Sequence, residues 1–348
     1  MIPIQRMLSL SDPGDIFRRA TELVEENLTD SQNTWSRLYC GKAIHQFEHR
    51  FATFEANNWR VVQATEQKDP SFEIQTEYYA HHEKVATRLA GKKPNTWLLV
   101  YRDVTNATNE RTSIAAVIPT SGCDTTCRNL FSDADPLSLC SFLSCLNSFI
   151  FDYFTRQKVI GMHLGAGVFE QLLALPPTIY SKPSPWYGGQ KTLQDWLLPR
   201  VLELTYTTWD LEPFAQDCDW DGPPFLWDEE RRFLLRCELD TAFFHLYLPA
   251  EKNGDWRPAE GETVKDLTQL KASFPTPRDA VAYIMDTFPI VRRKDEEKYD
   301  GDYRTKRVIL EIYDAMQECI HTGQPYETRL DSQPADPRCC HPSKEGAS

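Results

Sequence analysis

Two runs in the first third of the chain are almost unbroken in apolar character: Trp97-Leu-Leu-Val-Tyr-Arg-Asp-Val104 and Ser113-Ile-Ala-Ala-Val-Ile-Pro119. Both are rich in β-branched and aromatic residues and predict two strands. The polar stretch 105–112 lies between them. Elsewhere the apolar positions recur at helical spacing. Residues 13–29 predict a short helix capped by Asp15, and residues 76–90 a second one, closed by Gly91 with Pro94 beyond it. Residues 136–159 predict one long apolar helix ended by Gly161, and 168–175 a short apolar segment stopped by Pro176-Pro177. Residues 35–59 are aromatic and mixed, and 63–75 form a polar connector. The Pro/Gly/Ser stretch 181–190 is the best internal boundary. Beyond it the pattern predicts helices near 191–215, 228–247, 277–287 and 303–321, with a polar insertion at 250–264. Prolines 325, 334, 337 and 342 predict an extended or disordered tail.

These elements make an α+β protein. Residues 1–30 form a helical lead-in and 31–180 a mixed domain with short strands. Residues 181–322 form a mainly helical domain, and 323–348 the tail. At ~150 residues per domain, a length of 348 fits about two domains. A chain that is 41% hydrophobic and 26% charged is globular, which excludes wholesale disorder, collagen and coiled coil. No apolar run reaches the ~20 residues of a membrane span. The start lacks a basic then apolar leader, so the expected location is cytoplasmic with no membrane contact.

The net charge of −13 argues against a protein that binds nucleic acid over its whole surface. The excess is uneven: residues 1–180 carry −3 and residues 181–348 carry −10. A local basic face therefore remains open in the first half. Without a leader, the ten cysteines do not read as a disulfide framework.

His45-Gln-Phe-Glu48-His49 matches the H-x-x-E-H string of inverted zinc peptidases. On a helix both histidines share a face, ready to bind zinc while Glu48 activates water. The aromatic flanks Phe47, Phe51 and Phe54, and the lack of a marked third ligand, favour a structural or nucleic-acid-facing role for His45, His49 and the adjacent Arg50. Cys123/Cys127 and Cys140/Cys145 read either as two halves of a zinc site or as buried and loop thiols, the latter favoured in an apolar helix. No metal site is assigned.

The stretch 102–112 holds Arg102, Thr105, Asn106, Thr108, Asn109, Arg111 and Thr112. Arg pairs with guanine edges, Asn with adenine edges and Thr with phosphates. The alternative is an ordinary polar hairpin loop. Arg156, Lys158 and His163 cluster where the apolar helix ends, either complementing its dipole or contacting phosphate. Dinucleotide, Walker, nucleophile-elbow and kinase signatures are missing. Gly222-Pro-Pro-Phe225 lacks the leading Asn, Asp or Ser of an amino-methylating motif.

Several strings taken together resemble large bacterial adenine-N6 DNA methyltransferases, those of type IIG restriction–modification and of the BREX and DISARM phage-defence systems. They are Lys42–Thr53, Tyr101–Thr112, Phe151–Leu164 with Leu175–Pro177, Trp227–Asp240, Tyr283–Lys294 and Tyr303–Tyr313. They occur in the family's order and cover about 35–341. The resemblance is to the family's C-terminal part alone, which implies a target-recognition domain over 31–180 followed by a helical region. The S-adenosylmethionine site and the catalytic motif lie upstream in that family, so no cofactor and no catalytic residue is implied here.

What the resemblance implies is a DNA-reading role for the 102–112 loop, with Arg156, Lys158 and His163 behind it. The implied partners are double-stranded DNA and a methyltransferase catalytic domain or subunit. The chain departs from the family at Glu48, where Asp is expected, at Met162, where Thr is usual, and at Gly165–Gly167, where aromatics are usual. Two other classes stay open: a zinc-dependent hydrolase on His45, Glu48 and His49, and a protein-interaction module of a defence complex.

Overall fold

The computed structural model describes residues 4–5, 7–11, 16–25, 34–92, 96–258 and 263–344. Asp15 and Pro94, read above as helix punctuation, lie outside these. The architecture is α+β, with the strands in the first 130 residues and long helices after them.

Strand β1 (Ile4–Gln5) is followed by β2 (Phe17–Arg19), which runs directly into helix α1 (Ala20–Glu25). The lead-in is thus part strand. Then come β3 (Trp35–Tyr39) and the hairpin of β4 (Ala52–Glu55) and β5 (Asn58–Val61). That hairpin turns on Ala56 and Asn57, both at positive φ, as a two-residue turn matched to strand twist requires. Helix α2 (Ala64–Gln67), strand β6 (Tyr78–His81) and helix α3 (His82–Leu89) follow. The expected 76–90 helix therefore begins as a strand, because Tyr78–His81 pair with β2 and β3.

Strands β7 (Trp97–Arg102) and β8 (Ala115–Pro119) form where the apolar runs predict them. Strands β9 (Gly122–Cys123) and β10 (Cys127–Leu130) complete two four-stranded sheets, ordered β1-β10-β7-β8 and β2-β6-β3-β9. The β7 run is continuous because both of its faces are buried. Trp97, Leu99 and Tyr101 enter a large core shared with the helices, while Leu98 and Val100 enter a smaller core on the other side. Alternation of side chains along a strand puts neighbours on opposite faces.

Helix α4 (Pro136–Asn147) and α5 (Phe149–Lys158) replace the single helix expected over 136–159. They meet at 64°. Ser148 ends the first and caps the second: its hydroxyl bonds the Cys145 carbonyl at 2.8 Å and receives Phe151 N–H at 3.3 Å. Among the described residues no single helix is long and apolar enough to cross a membrane.

Helices α6 (Ala166–Phe169), α7 (Leu193–Thr205), α8 (Glu212–Asp217), α9 (Glu229–Tyr247), α10 (Val264–Ser273), α11 (Pro277–Asp286), α12 (Pro289–Lys298) and α13 (Arg304–Thr322) complete the chain.

Two expectations change here. The 181–190 stretch does not divide the core: Trp186 is fully buried in the cluster that runs from β7 to α13. The segment after Gly323 is extended but not disordered through Lys344. Tyr326 donates its backbone N–H to the Trp186 carbonyl at 2.7 Å, and Leu226 donates to the Cys339 carbonyl at 2.7 Å. Buried Glu238 on α9 accepts from the Tyr326 hydroxyl, Thr328 hydroxyl and Arg329 N–H, so a polar stretch is held by one carboxylate rather than by an apolar stripe.

Candidate functional site

The two polar stretches that the sequence offers separately lie side by side. Thr105 N–H donates to the Met162 carbonyl at 3.0 Å, and Leu164 N–H to the Asp103 carbonyl at 2.7 Å. His163 Nδ1 sits 2.5 Å from Asp103 Oδ1, and Arg156 Nη2 donates to the carbonyls of Asn109 and Glu110. The result is one ridge carrying Asn106, Thr108, Asn109, Lys158 and His163 toward solvent.

The ridge is rigid because its base is a buried charge network. Asp152, on α5, is fully buried and accepts from Arg111 Nε at 2.7 Å, Arg156 Nε at 3.1 Å and Thr112 N–H at 3.0 Å. Arg111 also donates to the Asn147 carbonyl at 2.6 Å and lies 3.9 Å over the Phe149 ring. Thr112 donates its hydroxyl to the Asn106 carbonyl, and buried Thr105 accepts from the Asn109 amide at 3.3 Å. Arg102 turns inward to the Ile44 carbonyl. Of the residues expected to read DNA, Arg102, Thr105, Arg111, Thr112 and Arg156 are therefore scaffold. The three arginines and Thr112 need internal acceptors, and Asp152 and the backbone carbonyls supply them.

The Asn106 side-chain oxygen accepts from Thr108 N–H at 2.9 Å and the Thr108 hydroxyl at 2.7 Å. That leaves the Asn106 amide nitrogen and the Asn109 side-chain oxygen for a ligand.

His45–His49 is a tight turn, not a helix. His45 and Glu48 exchange backbone hydrogen bonds at 2.8 and 3.0 Å. Phe47 sits at φ 60° with its ring buried in the main core. The histidines consequently diverge. His49 meets Asp210 at 3.1 Å and Thr208 at 3.3 Å, and these, with Arg37, hold the buried Asp210 carboxyl below its ordinary range against the opposing effect of desolvation. Buried Arg50 donates to the carbonyls of Gln67, Asp69 and Phe72, closing the turn after α2. The shared helix face on which the zinc reading depends does not exist. Cys123 and Cys127 lie in the smaller core and Cys140 and Cys145 in the larger one, on opposite sides of the sheet, and Cys140 Sγ instead meets Cys218 Sγ at 3.4 Å. Among the described residues no group of three His, Cys, Asp or Glu side chains is arranged to hold a metal ion.

Beside the ridge opens a cleft of about 290 Å³. His45, Gln46, Glu110 and Arg111 form one wall, α9 from Glu229 to Asp240 the second, and α12 with Tyr299 the third. Burial pushes the His45 imidazole down to about 3, and the surrounding cations Arg102, Arg236, Arg111 and Lys294 add to this. Burial raises the Asp240 carboxyl to about 6, against the pull of Arg111 and the Phe149 N–H. Sequence reasoning found His45 and Arg111 here but missed Arg236, Asp240, Lys294 and Lys298. The available signal was the charge density of Trp227–Asp240, which is too polar for a helix passing through a core unless part of it lines a cavity.

No family model matches the chain, and no curated protein or solved structure shows significant similarity to it.

Proposed function

We propose that this chain is the DNA-sequence recognition portion of an adenine-N6 DNA methyltransferase of a restriction–modification or phage-defence system, working on double-stranded DNA with a separate catalytic domain or subunit. The observation that carries the reading is the ridge: two of the family-like strings, 60 residues apart in places, combine into a single rigid polar surface. Functional polar groups on loops held by a rigid scaffold are the usual arrangement for recognition. Asn106 and Asn109 offer a donor and an acceptor suited to base edges, and Thr108, Lys158 and His163 offer contacts to phosphate. S-adenosylmethionine belongs to the partner domain in this reading, and the chain alone does not methylate.

Beside the ridge, Ile160 is fully exposed and Met162 is 64% exposed, which supports contact with the partner domain at that end.

The test is binding of a randomised duplex pool at low salt, with and without the catalytic partner. Asn109→Ala should flatten the base preference at one or two positions, by about 1–3 kcal/mol of discrimination. Lys158→Ala should weaken all sequences alike. Absence of duplex binding in every condition sinks the proposal.

A further inference from the structure

The cleft beside the ridge contains more charge than its internal pairing uses. Its carboxylates all have donors. Glu110 pairs with Lys294 and Glu230 with Arg304. Glu229 accepts from the Trp227 indole at 2.6 Å, Asp240 from Phe149 N–H at 2.7 Å and Asp295 from Thr305 N–H at 2.6 Å. Arg111 is engaged by Asp152.

Arg236 is different. It stands on α9 between His45 and Asp240, half-buried, and makes no hydrogen bond or ion pair among the described residues. Lys298 on the rim is exposed and also makes no ion pair among the described residues, lying only near the Tyr299 ring. His45 packs against the Phe51 ring at a tilt of 31° and lines the cleft, and its ring nitrogens make no hydrogen bond among the described residues.

We propose that this cleft holds one phosphate group, gripped by the Arg236 guanidinium with Lys298 and a His45 N–H as further donors. A planar guanidinium matches two phosphate oxygens at once. A guanidinium that lines a cleft without a protein partner keeps its donors for an anion. Arg102, Arg111, Arg236 and Lys294 all act on His45 as cations; against them the cleft lining carries the buried Asp240 carboxyl and, with Glu110, the carboxylates Glu229, Glu230 and Asp295, so Arg236 and Lys298 are the cations left for an anion. That acidic lining limits the site to a single phosphate.

Glu110 and Arg111 belong both to the ridge loop and to the cleft wall. For a duplex lying on the ridge, this shared loop makes a backbone phosphate the nearest source for the cleft. Only this last step, the source of the phosphate, rests on the DNA-recognition reading; a free phosphate ester is the other source of the same chemistry.

The experiment is a fluorescence-anisotropy titration of a labelled duplex over a salt series, for the full chain and for Arg236→Gln, Arg236→Lys and Lys298→Gln. Each phosphate contact contributes about 0.9 to the slope of log Kd against log salt. Arg236→Gln should lower that slope by about 0.9, and Arg236→Lys, which keeps the charge and controls for folding, should leave it close to the parent value. In parallel, inorganic phosphate and adenosine monophosphate are tested for protection of the parent and Arg236→Gln proteins against thermal unfolding.

A lower slope in Arg236→Gln assigns the phosphate to DNA. An unchanged slope, or no duplex binding at all, together with protection by adenosine monophosphate that Arg236→Gln abolishes, assigns the site to a small phosphate ester. An unchanged slope without protection overturns the proposal. Absence of duplex binding by the parent protein both with and without the catalytic partner refutes the DNA reading and not this one.

Discussion

Replacing Arg111 by methionine tests whether the ridge is read from its surface or from its base. The substitution removes two charge-assisted hydrogen bonds, to Asp152 at 2.7 Å and to the Asn147 carbonyl at 2.6 Å. Each is worth about 1.5–3 kcal/mol. It also removes a desolvated cation over the Phe149 ring at 3.9 Å, about 1–2 kcal/mol. Two effects offset the loss. Methionine keeps most of the apolar stem, and Asp152 is not orphaned, since Arg156 Nε and Thr112 N–H still reach it at 3.1 and 3.0 Å. The full ~3–5 kcal/mol for breaking a buried pair is therefore an upper bound, and about 3 kcal/mol is expected. Urea unfolding followed by far-ultraviolet circular dichroism measures it. Combining Arg111→Met with Asp152→Asn should cost less than the two singly, because both break one network. Per folded molecule, sequence preference should change less than in Asn109→Ala. A variant whose midpoint shifts by under about 0.5 kcal/mol while its base preference disappears would refute the scaffold argument and return Arg111 to the reading face.

Two further outcomes follow from buried carboxylates. Asp240 is raised to about 6 by burial against about 3.9 in an unfolded chain, so the native state binds the extra proton between those values. Its contribution to stability therefore falls as pH rises from about 4 to about 6, by roughly 2–3 kcal/mol in all. Asp240→Asn, which still offers an oxygen to Phe149 N–H, should be more stable than the parent at pH 7.5 and no different at pH 4; a less stable variant at pH 7.5 contradicts this. Ending the chain at Gly323 removes Tyr326 and Leu330, both buried, at about 2 kcal/mol each, and strips three donors from Glu238. The truncated chain should be cut by protease near α9 and α13 where the full chain resists, and equal resistance contradicts the packed strap.

What was legible in the sequence is what period and propensity control. The continuous apolar runs of β7 and β8 and the helical spacing of apolar positions in α9, α11 and α13 are of this kind. Helix α12 was not legible, because Val291 is the one residue within it that is buried and Pro289-Ile-Val-Arg-Arg-Lys carries no stripe. The break at Ser148 had a signal, a capping residue after Asn147 inside an apolar run, but the apolar period continues across it. The histidine string misled because i, i+4 spacing has meaning only on a helix. There the hairpin-like bonds of Ala43 to Phe51 and Ala52, and Phe47 at φ 60°, give a turn. The ridge was half legible. Its residue types were visible in 102–112 and 156–163, but which of them face outward depends on Asp152, a carboxylate inside an apolar helix. A buried charge of that kind requires partners close in space; Asp152 takes Arg156 on its own helix and Arg111 from the ridge loop, passing over Arg128, which is nearer in sequence than Arg111 but pairs with Asp103.

The net charge of −13 can now be weighed by position. Much of the acid near the cleft and ridge is internally neutralised, as Glu110 by Lys294, Glu230 by Arg304 and Asp152 by Arg111 and Arg156. Total charge sets the long-range field, which salt screens within about 10 Å at 0.1 M. Contact affinity instead depends on cations left unpaired at the surface, which on this face are Arg236, Lys298 and Lys158. Proteins that hold duplex DNA by themselves commonly make 6–10 phosphate contacts. Three cations fall well short of that, and the repulsion of an acidic helical half works against them at low salt. A recognition surface built this way discriminates without gripping. Under the proposed function, affinity then has to come from the partner that carries the catalytic domain, and the ridge with the proposed phosphate cleft would set register on a duplex that the partner holds.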